Sequence, residues 1–178
     1  MQHRDLHFRF EPASTGEFSG YAARFDEATA HGEIVSRGAF RKTLSEHRAA
    51  GTRPLMLWMH DPAEVVGVWS DIREDDRGLA VTGRIITDTR RGQEALVLLK
   101  AGALNGLSIG FRVRAAKRGR DGIQTITDID LAEISIVGLP SAGGARITNV
   151  RAQPDRLASL AEACRQARCA LITHKDKA

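Results

Sequence analysis

The chain has 178 residues, 42% hydrophobic and 27% charged, a composition of one modest globular domain plus a tail rather than a disordered or fibrous protein. No apolar run approaches the roughly 18–20 residues needed to cross a bilayer, and the N-terminus carries His3, Arg4, Asp5 and Arg9 where a signal peptide needs an apolar stretch. The expectation is a soluble protein that stays in the cytoplasm of the cell that makes it. The net charge is +4. Six basic residues (Arg151, Arg156, Arg165, Arg168, Lys175, Lys177) against Asp155, Glu162 and Asp176 place +3 of it from Arg151 onward. A near-neutral body with 5% aromatics argues against nucleic acid as the main partner, because single-stranded binding needs basic faces interleaved with stacking rings.

In chain order, Leu6 to Glu11 and Phe18 to Phe25 alternate with period two and read as an opening antiparallel pair, joined by the turn-like Pro12 to Gly16. Arg37 to His47 is a short amphipathic helix, with Ser36 as its cap and Gly51 as its stop. Pro54 to Met59 is a continuous apolar run, expected of a buried strand ending at His60-Asp61-Pro62. Glu64 to Ile72 and Gly78 to Ile86 are two further strands about the charged turn Arg73 to Arg77, and Thr87 to Ala101 is the strongest helix, stopped at Gly102. Gly106 to Ala115 and Ile123 to Val137 are long strands joined by a hairpin, and Arg146 to Val150 is a last short one. Pro154 to Leu171 carries Leu157, Leu160, Ala161, Cys164 and Leu171 at helical spacing. The domain expected is therefore 1–150, with 151–178 a basic, separable helix and tail. About seven strands without regular βαβ alternation predict a mostly β (α+β) fold, a closed antiparallel barrel surrounded by helices.

Covalent hydrolysis requires a hydroxyl or thiol nucleophile, a neutral imidazole to take its proton, and a group to orient that imidazole. Cys164 and Cys169 stand five residues apart, the spacing of neither a redox pair nor a zinc knuckle, and read as free thiols. His3, His7 and His174 lie near the termini, His31 in a loop and His47 on the exposed end of a helix. His60 alone closes a buried strand, where a base can be held rigidly; a histidine that merely terminates the strand is the competing reading. Ser108, in Leu104-Asn-Gly-Leu-Ser-Ile-Gly-Phe111, is flanked by Gly106 and Gly110, which would let a peptide backbone approach. The match to Gly-x-Ser-x-Gly is coincidental: a helix precedes this serine and a strand follows it, the reverse of a nucleophile elbow. Glu133 sits in the apolar strand Leu131 to Val137, and a carboxylate there needs a partner. Residue chemistry leaves two partners open, an imidazole or an arginine such as Arg112 or Arg114. No HExxH or HxH spacing points to a metal, and no glycine-rich phosphate loop to a nucleotide, so neither metal nor cofactor is expected.

Taken together, Phe18 to Phe25, Gly38 to Phe40, Leu55 to Pro62, Gly106 to Phe111 and Glu133 to Val137 with Pro140 resemble the prohead maturation proteases of tailed phages, and more remotely the herpesvirus assemblins. The resemblance implies that His60 is the general base, Ser108 the nucleophile and Glu133 the acidic third member, a place where assemblins use a second histidine. It implies a β-barrel ringed by helices. The implied substrates are capsid subunits with a scaffolding segment, or a separate scaffold, cleaved inside the assembling procapsid in the host cytoplasm. Self-cleavage in the basic tail and, by analogy with assemblins, a homodimer belong to the same expectation. Arg112 is a candidate oxyanion donor beside backbone N–H groups near Ser108. An inactive capsid scaffold or tube-like protein of the same fold and a hydrolase of small esters are the alternatives.

Overall fold

The computed structural model describes residues 16–30, 32–119 and 122–150. They form one eight-stranded sheet and two helices: β1 (Glu17–Arg24), β2 (Glu33–Val35), α1 (Arg41–Ala50), β3 (Leu55–Trp58), β4 (Asp61–Glu74), β5 (Gly78–Ile85), α2 (Arg90–Lys100), β6 (Gly106–Arg118), β7 (Gln124–Val137) and β8 (Ile147–Val150). The strand at 6–11, the helix at 154–171, both cysteines and the basic tail lie outside the described residues, as do His3, His7, His31 and His174.

The strand order is β2-β7-β3-β4-β5-β1-β8, with β6 on the other side of β7. The long hairpins β4–β5 and β6–β7 are antiparallel, as alternation and turn chemistry predict. The closed antiparallel barrel is not what forms. The sheet stays open between β6 and β8, and both β2 and β3 pair with β7 in parallel. Closure fails because β8 has four residues to offer a thirteen-residue β6. Their meeting is confined to an isolated bridge from Gly106 to Arg146 and the Leu107 N–H to Ala145 carbonyl bond beside it. The parallel pairings escape a hairpin-by-hairpin reading because they join strands that a helix separates in sequence.

One edge of β7 is shared end to end. β2 covers Gln124 to Ile126 and β3 covers Glu133 to Ile136. Backbone groups in the gap between them need other partners, and α1 with its approach supplies these. The Ala39 carbonyl accepts the Ile129 N–H at 3.0 Å, Thr43 Oγ1 accepts the Leu131 N–H at 3.1 Å, and His47 Nε2 donates to the Leu131 carbonyl at 3.0 Å. His47 is therefore a structural residue rather than a loose surface one. Ser36 does not cap α1 but donates to the Ile126 carbonyl at 3.0 Å. The helix instead begins at Phe40, whose N–H meets Glu74 Oε1 at 2.8 Å, and ends at Gly51 in the left-handed conformation, φ 65°. α2 starts two residues later than Thr87, where Thr89 Oγ1 accepts the Gly92 N–H at 3.0 Å.

Phe18, Phe40, Met56, Leu79, Ile85, Leu107, Ile126, Ile129, Ile134 and Ile136 are fully buried and form the core. Each contributes about 1.5–3 kcal/mol from water exclusion. The last residues of β7 are buried on both faces, with β3 and β6 paired to its two edges, so Glu133 and Ser135 are carried into the interior with their apolar neighbours.

Candidate active site

β3 and β4 are joined by two residues, Met59 and His60, between the paired Trp58 and Asp61. Both adopt positive φ, 51° and 64°, the backbone of a type I′ hairpin turn, which favours Asn-Gly. Non-glycine residues there cost on the order of 1 kcal/mol each, and the neighbouring strand holds them in place. The Met59 N–H donates to the Ile136 carbonyl at 3.0 Å, and the His60 N–H to Ser135 Oγ at 3.1 Å. On the far side of the hairpin, Arg91 of α2 stacks 5.6 Å over the Trp58 ring and reaches both oxygens of Glu64 at 3.3 Å. Bonding to Glu64 raises the Arg91 pKa, so the brace stays charged.

The turn aims the His60 ring at Glu133. Its Nδ1 lies 2.6 Å from Glu133 Oε1, and Ser135 Oγ donates to Glu133 Oε2 at 2.6 Å. The carboxylate of Glu133 is 12% exposed and the imidazole 45%, so the acid is sheltered while the ring opens outward. A carboxylate on Nδ1 keeps the proton on that nitrogen and leaves Nε2 as the free lone pair. The imidazole is therefore the partner that residue chemistry alone left open for Glu133. Arg114 binds Glu46 at 2.7 Å and Asp130 at 2.9 Å, and Arg112 is exposed beyond the site, outside the cavity lining.

Ser108 lies on β6 directly across from Ser135 of β7, and is itself buried. Ser108 and His60 line the same cavity of about 340 Å³, together with Leu107, Phe111, Ala22 and Arg24, and with Ser141, Ala142 and Ala145 from the loop before β8. The two glycines around Ser108 both make room for the chain, and Gly110 also lines the cavity. A Cβ on Gly110 would stand 2.1 Å from Glu133 Oε1, and one on Gly106 2.5 Å from the Val137 carbonyl oxygen. Gly110 is the hole in β6 through which the acid reaches the base.

Three residues important here carry weaker sequence signals: Met59, Gly110 and Ser135. Ser135 was legible as the one other polar side chain on the Glu133 face of the stretch Leu131 to Val137.

A serine hydroxyl and an imidazole whose far nitrogen is held by a sheltered carboxylate line one cavity, the groups that acyl transfer through a serine uses, while no hydrogen bond joins Ser108 to His60 in this structure. Residues 5–158 match the model of the Caudovirus prohead serine proteases, and the chain belongs to that family. The prohead protease of Enterobacteria phage HK97 is 32% identical over 100 residues, covering 55% of this chain and 43% of that protein, so the match reaches less than half of the relative's length. The capsid assembly protease of bacteriophage T4 is similar in fold, with a TM-score of 0.57 at 12% identity over 68% of this chain and 83% of that one.

Proposed function

We propose that the protein is a serine endopeptidase of procapsid maturation, with Ser108 as nucleophile, His60 as general base and Glu133 as the group that orients and compensates the imidazolium. The observation that carries the reading is the 2.6 Å contact of His60 Nδ1 with a sheltered carboxylate, on a ring that faces the cavity of Ser108. Nε2 takes the Ser108 proton as Oγ attacks the scissile carbonyl, and returns it to the leaving amine. The same ring then activates the water that releases the acyl group. Backbone N–H groups beside Ser108 hold the oxyanion. The substrate is a capsid subunit bearing a scaffolding segment, or a scaffold protein, cut inside the assembling shell in the host cytoplasm. The basic segment 151–178 is the proposed region of self-cleavage. Co-expression with the capsid subunit tests this: Ser108→Ala gives a folded protein that leaves the subunit at full mass, since loss of a triad member costs on the order of 10⁴–10⁶ in rate. Continued processing by that variant overturns the assignment.

A further inference from the structure

We propose that Ser135 is a positioning residue, whose hydroxyl ties the backbone of His60 to the carboxylate of Glu133 and so fixes the imidazole in its working orientation. The inference rests on the reading of His60 as base and Glu133 as its partner. Three hydrogen bonds close a ring that leaves His60 through its backbone and returns through its side chain. The His60 N–H donates to Ser135 Oγ at 3.1 Å, the Ser135 hydroxyl donates to Glu133 Oε2 at 2.6 Å, and Nδ1–H meets Glu133 Oε1 at 2.6 Å.

Every polarity in the ring is forced. A backbone N–H can only donate and an ionised carboxylate can only accept, so the hydroxyl must accept from one and donate to the other. With both carboxylate oxygens engaged, the acid presents a fixed face to the imidazole. Nδ1 is then the protonated nitrogen, and Nε2 is left for Ser108. Ser135 is fully buried, so no solvent molecule reaches its place from outside, and no other described side chain bonds Glu133 Oε2. The ring also stabilises backbone that resists its own conformation, because His60 sits at φ 64°. A serine that served packing alone would need neither bond.

The test needs no knowledge of the natural cleavage site. A fluorophosphonate labels Ser108 of the full-length protein at a rate that reports its activation, and the short Nδ1–H···O bond gives a far-downfield proton resonance. In Ser135→Ala the maximal labelling rate falls on the order of 10–100-fold, the scale of a roughly 1 Å misplacement, with the probe's half-saturating concentration within about twofold. The downfield resonance moves upfield. Ser135→Cys keeps the shape in a slightly larger side chain with a weaker donor, falls between the two, and serves where alanine fails to fold. Either folded variant labelling at the wild-type rate with its resonance in place overturns the proposal. Wild-type protein that resists the probe, or Ser108→Ala that still takes it, overturns the protease assignment instead. In that case the resonance alone still decides whether Ser135 holds the ring.

Discussion

Gly110→Ala separates catalysis from stability, because the methyl group has two ways to be accommodated and both pass through Glu133. The new Cβ would lie 2.1 Å from Oε1 and 2.8 Å from Cδ and Cγ of that side chain. If the carboxylate stays, β6 and β7 must part, an overpacking cost of about 1–3 kcal/mol. If it swings away, the bonds to His60 and Ser135 are lost, at about 1.5–3 kcal/mol for each bond to a charged group. The cheaper route sets the stability loss, about 1–3 kcal/mol. The first route carries β6, and Ser108 with it, away from His60, the second carries the carboxylate away from Nδ1, and misplacing a member of such a set lowers kcat by up to about 10⁴. Gly138→Ala is the control, since its Cβ would meet only Leu104 at 3.6 Å, an ordinary contact. Urea unfolding and capsid-subunit cleavage, measured on both variants, should show a folded but nearly inactive Gly110→Ala beside an almost unchanged Gly138→Ala. Cleavage by Gly110→Ala within threefold of wild type refutes the view that this glycine exists to admit the acid.

Two further substitutions probe the scaffold. Met59→Asn places a residue that tolerates φ near 51° at the first position of the I′ turn, and should raise stability by about 0.5–1 kcal/mol in urea unfolding; an unchanged or lower midpoint refutes strain at this turn. Tyr21 donates to Asp75 at 2.8 Å, tying β1 to the turn after β4. That hydrogen bond is the main cause raising the Tyr21 pKa above 10.0. Burial pushes the Asp75 carboxyl up, but bonds from the Arg77 N–H, the Tyr21 hydroxyl and the Gly78 N–H outweigh it and hold its pKa below 3.8. The phenol's contribution is present below its unfolded pKa and lost as pH rises through its folded one; the carboxylate's is present above its unfolded pKa and lost as pH falls through its folded one. Wild type should therefore exceed Tyr21→Phe in Tm by a small margin at neutral pH, small because the pair is only partly buried, and the margin should fade as pH rises beyond about 10 and as it falls below about 4. A margin that does not change across that range refutes the coupling.

Hairpins, helices and the candidate site residues were legible because each is written locally. Alternation along Gly78 to Ile85 marks a strand, Gly51 and Gly102 stop the helices, and a lone carboxylate in Leu131 to Val137 announces a partner. What the sequence hides is set by contacts between distant segments. The three-residue β2 lacks the length to show a period, and its pairing with β7 spans about ninety positions. Sheet closure depends on whether β8 can reach along β6, which no alternation encodes. The role of Gly110 was invisible for the same reason: its neighbour is twenty-three positions away, and a glycine beside a serine reads equally well as space for a ligand.

β7 lies between the strand that carries Ser108 and the one that leads into His60, and it supplies the acid itself. All three groups are thus measured off one ruler with a two-residue graduation. Insertion of one residue between Glu133 and Ser135 would turn the carboxylate to the face opposite Ser135, while the flanking strands could still close their ladders on what remains. An active protease and an inert shell component of the same architecture are, on this sheet, a single residue of register apart.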